Sequence, residues 1–239
     1  MSHHYIEINE LEYIYPDGTK AVEDVSLYIS HGESVAILGS NGAGKSTLIK
    51  HLNGTILPVK GSVNIGGTPI TKKTLKTIRA TVGLVFQNTD NQLFMPSVFE
   101  NVAFSPRNIG ITGDELQKVV EESLDKVDAL GLIDKHPFKL SGGEKRKVCI
   151  ASVIASNPEI LVLDEPTAEI DPKGIGDLVS ILRQFSHTKI ISSHNLKFSR
   201  SVCSRGVVMQ EGRIVFDGDL DEIFSNDKLL EAAGLKEDY

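Results

Sequence analysis

The stretch Gly39-Ser40-Asn41-Gly42-Ala43-Gly44-Lys45-Ser46-Thr47 carries residues whose types and spacing point to phosphate chemistry. It fits G-x-x-x-x-G-K-[ST], the phosphate-binding P-loop pattern. Its glycines let the backbone wind tightly, so that successive N–H groups point inward at an anion. The helix expected from Lys45 adds its unpaired first-turn donors and the positive end of its dipole. Lys45 is then placed for β- and γ-phosphates, and the Ser46 hydroxyl for Mg²⁺. The segment therefore reads as a site for a nucleoside triphosphate.

Farther along, the apolar run Ile160-Leu161-Val162-Leu163 ends in Asp164-Glu165. Two adjacent carboxylates repel unless a cation or a function compensates. Asp164 is the candidate Mg²⁺ ligand opposite the P-loop hydroxyl. Glu165 is the candidate for activating or orienting the attacking water. Leu140-Ser141-Gly142-Gly143-Glu144 opens a helix, with Ser141 and Glu144 spaced as a capping box. It fits either a second phosphate site or simply a well-capped helix. Three single residues stand at strand ends or turns. Tyr15 fits purine stacking or ordinary edge packing; Gln87 fits a ligand contact or a satisfied loop amide. His194 fits a catalytic or a structural role.

The surrounding pattern supplies elements that would position these groups. Strands are expected at Tyr5–Tyr15, Val25–Ile29, Ser34–Leu38, Ser62–Ile65, Val82–Phe86, Ile160–Leu163, Lys189–Ser192, Gly206–Gln210 and Arg213–Asp217. Helices are expected at Lys45–Asn53, Val119–Leu132, Lys145–Ser156 and Pro172–Phe185, with two short ones in Leu220–Leu235. Ser97 with Glu100, and Thr112 with Glu115, are spaced as further capping boxes. Residues from about 97 to 157 read as a helical insertion between strands of the nucleotide-binding sheet.

The chain has 239 residues, 40% hydrophobic and 24% charged, enough to bury a core without disulfides. Its net charge of −7, with no basic stripe carrying aromatics, argues against a nucleic-acid partner. Cys149 and Cys203 are the two cysteines, which fits a reducing compartment. No stretch has the eighteen or so apolar residues that cross a bilayer, and the N-terminus lacks the features of a signal peptide. A cytosolic chain, held at any membrane by a partner, is the expectation. His3 and His4 read as a solvated chain end.

Taken together these residues closely resemble the ATP-binding cassette (ABC) family, over nearly the whole chain. Gly39–Ser46 resembles its Walker A motif, Ile160–Glu165 its Walker B motif, and Leu140–Glu144 its LSGG signature. The resemblance implies a P-loop core sheet of α/β class, with an N-terminal antiparallel β part and an inserted helical subdomain, as one nucleotide-binding domain. It makes Tyr15 the adenine-stacking aromatic, Gln87 the Q-loop glutamine, also toward the metal, Asp171 the D-loop aspartate and His194 the H-loop histidine. Ser141, Gly142 and Gly143 would cap the γ-phosphate of ATP bound on a partner cassette, in a head-to-tail dimer with a second copy or a sister cassette. Glu165 would be the base, assisted by His194 and Gln87, with ATP and Mg²⁺ as ligands.

A finer likeness lies in Phe86–Phe94 and Asn101–Phe104, together with Glu144 and Leu229–Leu235. These resemble the ATPases of energy-coupling-factor importers, including cobalt-type ones. That implies a peripheral subunit on the cytoplasmic face of the membrane, joined to a transmembrane coupling protein and a small substrate-binding membrane protein. A conventional ABC transporter ATPase is the alternative, and a soluble ABC protein outside transport is less favoured. The sequence departs from the family at Lys147, where arginine is usual, at Glu169-Ile170, and at Ser193-His194-Asn195. A lysine cannot make the planar fork of an arginine. None of the departures removes a group needed for hydrolysis, so an active ATPase is expected.

Overall fold

The computed structural model describes residues 4–168, 170–232 and 234–235; His3 and Glu169, both singled out above, lie outside the described residues. In chain order, β1 (Ile6–Ile14) and β2 (Lys20–Ile29) form a hairpin, β3 (Ser34–Leu38) runs into the P-loop, and α1 (Lys45–Leu52) leaves it. Next come β4 (Lys60–Ile65), β5 (Thr68–Pro69), α2 (Leu75–Thr81) and β6 (Val82–Val85). The helices α3 (Val98–Asn108), α4 (Gly113–Asp125) and α5 (Gly142–Ile154) separate β6 from β7 (Ile160–Asp164). The rest is α6 (Pro172–Gln184), β8 (Thr188–Ser193), α7 (Leu196–Val202), β9 (Arg205–Gln210), β10 (Arg213–Asp219), α8 (Leu220–Phe224) and α9 (Asp227–Ala232).

The strands form two sheets: β2-β1-β4-β5, antiparallel, and the six-stranded β10-β9-β3-β8-β7-β6. In the larger sheet β9, β3, β8, β7 and β6 are parallel, and β10 is an antiparallel edge. Alternation along β3 explains the layering. Val35 and Ile37 face a core shared with Ile6, Ile8 and Val63 of the small sheet and with Leu48 and Ile49 of α1. Ala36 and Leu38 face the opposite core, with Val148, Leu178 and Phe198 of the flanking helices. Both faces of β3, β7 and β8 are covered; β3 and β7 accordingly read as apolar runs, whereas β8 buries Thr188, Ser192 and Ser193 beside Ile190 and Ile191.

Register then sets the site. Leu38 pairs with Ser193, Asp164 with Ser192, and Val85 with Leu163. The residues just past these pairs share the C-terminal edge of the sheet, where open α/β sheets bind ligands. They are Gly39, Phe86-Gln87, Glu165 and His194.

Three local expectations are corrected. Thr112 precedes α4 but makes no side-chain cap, because the chain enters through Gly113 at φ 61°, outside the helical region the box requires. Ser97 does accept the Glu100 N–H at 3.2 Å, yet the Glu100 carboxylate turns to Arg107 instead of closing the box. The charged, two-pronged contact with the guanidinium is the stronger choice. The helical pattern expected to reach Leu132 stops at Asp125, Asp128 takes φ 51°, and Leu130–Leu132 is a separate 3₁₀ turn.

Candidate active site

The P-loop is held open by close backbone packing. Gly39 has φ 151°, and a Cβ there would lie 2.4 Å from the Met209 carbonyl oxygen. Gly44 has φ 101°, and a Cβ would lie 2.2 Å from the Ala21 carbonyl oxygen. Only glycine suits these two positions. The Gly212 N–H donates to the Ala43 carbonyl at 3.1 Å, which ties the loop to the β9–β10 turn. An open cleft of about 440 Å³ follows, lined by Tyr15, Asn41–Thr47, Gln87 and Glu165 among others. Gly39 and Ser40 form the neck of the loop, where the carbonyls of both accept from Lys45 Nζ, at 2.8 and 3.1 Å.

Lys45 also pairs with Glu165 Oε1 at 3.3 Å, with both side chains 5% exposed. That oxygen accepts no hydrogen bond, so the contact is purely ionic. Ser46 Oγ donates to Asp164 Oδ1 at 2.9 Å, and Ser192 Oγ donates to the same oxygen at 2.6 Å. Adjacent ligands of an octahedral Mg²⁺, at 2.0–2.1 Å from the ion, stand about 2.9 Å apart. Ser46 and Asp164 therefore fit that ion, and exposed Gln87 lines the same cleft. Mg²⁺ bound here would neutralise phosphate charge.

Glu165 sits at φ 43°, a conformation that costs a non-glycine residue about 1–3 kcal/mol. Its N–H is held by the Ser192 carbonyl and hydroxyl, each at 3.1 Å. Its Oε2 meets His194 Nδ1 at 2.9 Å and accepts the His194 N–H at 3.3 Å. One carboxylate oxygen thus faces the P-loop lysine and the other is oriented by His194. A carboxylate held in this way is a candidate general base. Tyr15, half-buried, packs edge-on against Tyr13 and shares a 3.0 Å hydrogen bond with Thr47 Oγ1.

Arg146 is the functional residue that sequence reasoning missed. It is 3% exposed, and its Nη1 and Nη2 donate to the Phe86 and Gln87 carbonyls, each at 2.7 Å. Gln92 completes the clamp, with Nε2 donating to the Cys149 carbonyl at 2.9 Å and Oε1 accepting the Phe86 N–H at 3.1 Å. The loop after β6 is thereby fixed to α5. Helical spacing held the signal, because Arg146 shares its face with Cys149, Ile150 and Val153, all buried.

The signature lies elsewhere on the surface. Ser141 Oγ accepts the Glu144 N–H at 3.3 Å, and Glu144 Oε2 accepts the Ser141 N–H at 2.8 Å, so the capping box is complete. The Ser141 N–H holds the Glu144 carboxyl below the usual range. The Gly142 and Gly143 N–H groups have no partner within the helix. Gly143 lines a second cleft of about 470 Å³ with Asp171, Gly174 and Asp177. Among the described residues it shares no lining with the P-loop cleft. Asp171 is on that side: its Oδ1 caps α6 by accepting the Gly174 N–H at 2.8 Å. Lys147 pairs there with Asp177 at 3.0 Å and Asp128 at 3.4 Å. Burial pulls its ammonium pKa down, and the two carboxylates more than reverse this, raising it overall.

The sequence pattern of the ABC transporter family matches residues 22–168, from β2 through the carboxylate pair. The chain belongs to the ABC transporter family. It is an ATPase of that family, built as its ATP-binding subunits are. It is 50% identical, over 99% of its length and 95% of the relative's, to a Geobacter sulfurreducens chain assigned as an ABC transporter ATP-binding protein. It is 44% identical to the energy-coupling factor transporter ATP-binding protein EcfA of Methanothermobacter thermautotrophicus, covering 97% of this chain and 76% of that one. The solved structure of cbiO1 from Clostridium perfringens, part of the ABC transporter complex cbiONQ, superposes with a TM-score of 0.84 at 36% identity. That match covers 98% of this chain and 96% of cbiO1. In ABC terms, then, Walker A and Walker B meet through Ser46 and Asp164, while the signature faces outward on its own cleft.

Proposed function

We propose that this chain is the ATP-hydrolysing subunit of an energy-coupling-factor importer, for a vitamin or a transition-metal ion such as cobalt or nickel. Lys45 and the P-loop N–H groups hold ATP, with the base stacked on Tyr15. Ser46, Asp164 and Gln87 hold Mg²⁺. Glu165, oriented by His194, takes the proton of the attacking water. Two cassettes, identical or sister chains, pack head to tail. Ser141, Gly142 and Gly143 of each then cap the γ-phosphate held by the other, with Asp171 at the same junction. The separation of the two clefts supports this arrangement, since one chain does not bring its own signature to its own P-loop.

The observation that carries the importer reading is the loop after β6. Gln92 and Arg146 lock its base to the helices, while Phe94 is 62% exposed and packs edge-on against exposed Phe104, ring centroids 5.1 Å apart. This pair flanks a groove lined also by Asn53, Arg79, Asn101 and Ser105. It suits an apolar segment of a membrane partner, and Phe94 belongs to the same loop as Gln87, through which the state of the nucleotide would be transmitted. No described helix is long and apolar enough to cross a membrane, so in this reading the subunit is peripheral, on the cytoplasmic face, held by that partner. The EcfA and cbiO1 relatives support the same class.

The test is purification of the tagged chain from detergent-solubilised native membranes, with the co-purifying chains identified by mass. Recovery of a polytopic coupling protein together with a small membrane protein is expected. A conventional pair of transporter membrane domains instead would overturn the energy-coupling-factor assignment, and purely soluble partners would overturn transport itself.

A further inference from the structure

The strands that present the active site at their C-terminal ends carry a second cluster at their N-terminal ends. His31 closes the turn before β3, Glu159 precedes β7, and His187 precedes β8. The donor atoms of the three side chains lie within 4.8 Å of one another. We propose that His31, Glu159 and His187 form a binding site for one divalent transition-metal ion of the zinc class, at the edge of the sheet opposite the ATP site.

The donor set is the first argument. Two imidazoles and a carboxylate match zinc and its borderline neighbours cobalt and nickel, and do not match Mg²⁺ or Ca²⁺, which take oxygen ligands. The spacing is the second. Ligands of a tetrahedral zinc, 2.0–2.1 Å from the ion, stand about 3.3 Å apart. His187 Nδ1 and Glu159 Oε2 are already 3.4 Å apart. His31 is exposed, and its donor nitrogen already lies within 4.8 Å of both. The fourth position is left to water.

Preorganisation is the third argument. The Gly32 N–H donates to Thr188 Oγ1 at 2.8 Å, joining the His31 turn to the residue after His187. The Lys189 N–H donates to the Glu33 carbonyl at 2.9 Å. Ser34 pairs with Lys189, and Ile160 with Thr188, so all three ligand residues sit one to three positions outside a fixed register. The His31 and His187 ring centroids are 6.1 Å apart. A bound ion therefore clips three adjacent strands without reorganising the sheet.

Zinc titrated into metal-stripped, nucleotide-free full chain, by calorimetry in excess Mg²⁺, tests the site. One zinc per chain is expected, and Co²⁺ in its place should give the visible absorption of a low-coordinate imidazole site. His31→Ala and His187→Ala should each weaken binding at least about tenfold, as should Glu159→Gln, which keeps the side-chain shape. A His3→Ala/His4→Ala variant should bind as the wild type does. No stoichiometric binding, or binding that survives loss of both His31 and His187, overturns the proposal. So does binding that vanishes only with the N-terminal pair.

Discussion

At the scale of single residues, the site turns on how Lys45 is held. Its ammonium touches two P-loop carbonyls and Glu165, all positions beside the space where phosphate oxygens belong. Lys45→Ala should weaken ATP binding at least about tenfold, read by fluorescent nucleotide titration, because a charge-assisted phosphate contact is lost. An unchanged Kd contradicts that role. The two thiols give a pH-based expectation. Burial pushes both Cys149 and Cys203 up to about 12, so at pH 8 each stays protonated, and only the thiolate reacts. The folded chain should resist alkylation at that pH and label fully in denaturant, as mass spectrometry reports. Rapid labelling of the native state contradicts their burial.

At the scale of elements, the glycines and the clamp around α5 carry the site. Gly44→Ala should destabilise the fold by about 3 kcal/mol or prevent folding, since its Cβ meets a backbone carbonyl at 2.2 Å and the φ of 101° disfavours it. Chemical denaturation measures this, and a neutral result contradicts the packing. Arg146→Met should leave ATP affinity within a few-fold but cut hydrolysis about tenfold, because Gln87 loses its anchor while the P-loop keeps every contact. Equal activity contradicts the clamp.

These elements also mark what sequence can reveal. The P-loop, Asp164-Glu165 and Ser141–Glu144 were legible because their chemistry needs fixed types at fixed local spacing. Strands β3 and β7 were legible from their apolar runs. Helix α2 was not expected at all: of its seven residues Ile78 alone is buried, so little periodicity marks it. The Arg146 and Gln92 contacts bridge about sixty positions, and no local pattern encodes a partner so distant. The cluster of His31, Glu159 and His187 was invisible for the same reason: it exists only once the register of β3, β7 and β8 is set.

At the scale of the molecule, one sheet brings four separate segments to one edge, and the signature lies on a separate cleft, where the proposed head-to-tail dimer would seat a second cassette. In the proposed pair, hydrolysis would remove the shared γ-phosphate contacts and so loosen the interface. The most direct measurement is phosphate release by the complex purified through this chain from native membranes, wild type against Glu165→Gln. A fall of about 100-fold or more is expected, the usual worth of a positioned general base, with ATP binding retained. Undiminished release from the Glu165→Gln complex would contradict the assignment of Glu165, and with it the claim that this chain's own site powers the transporter.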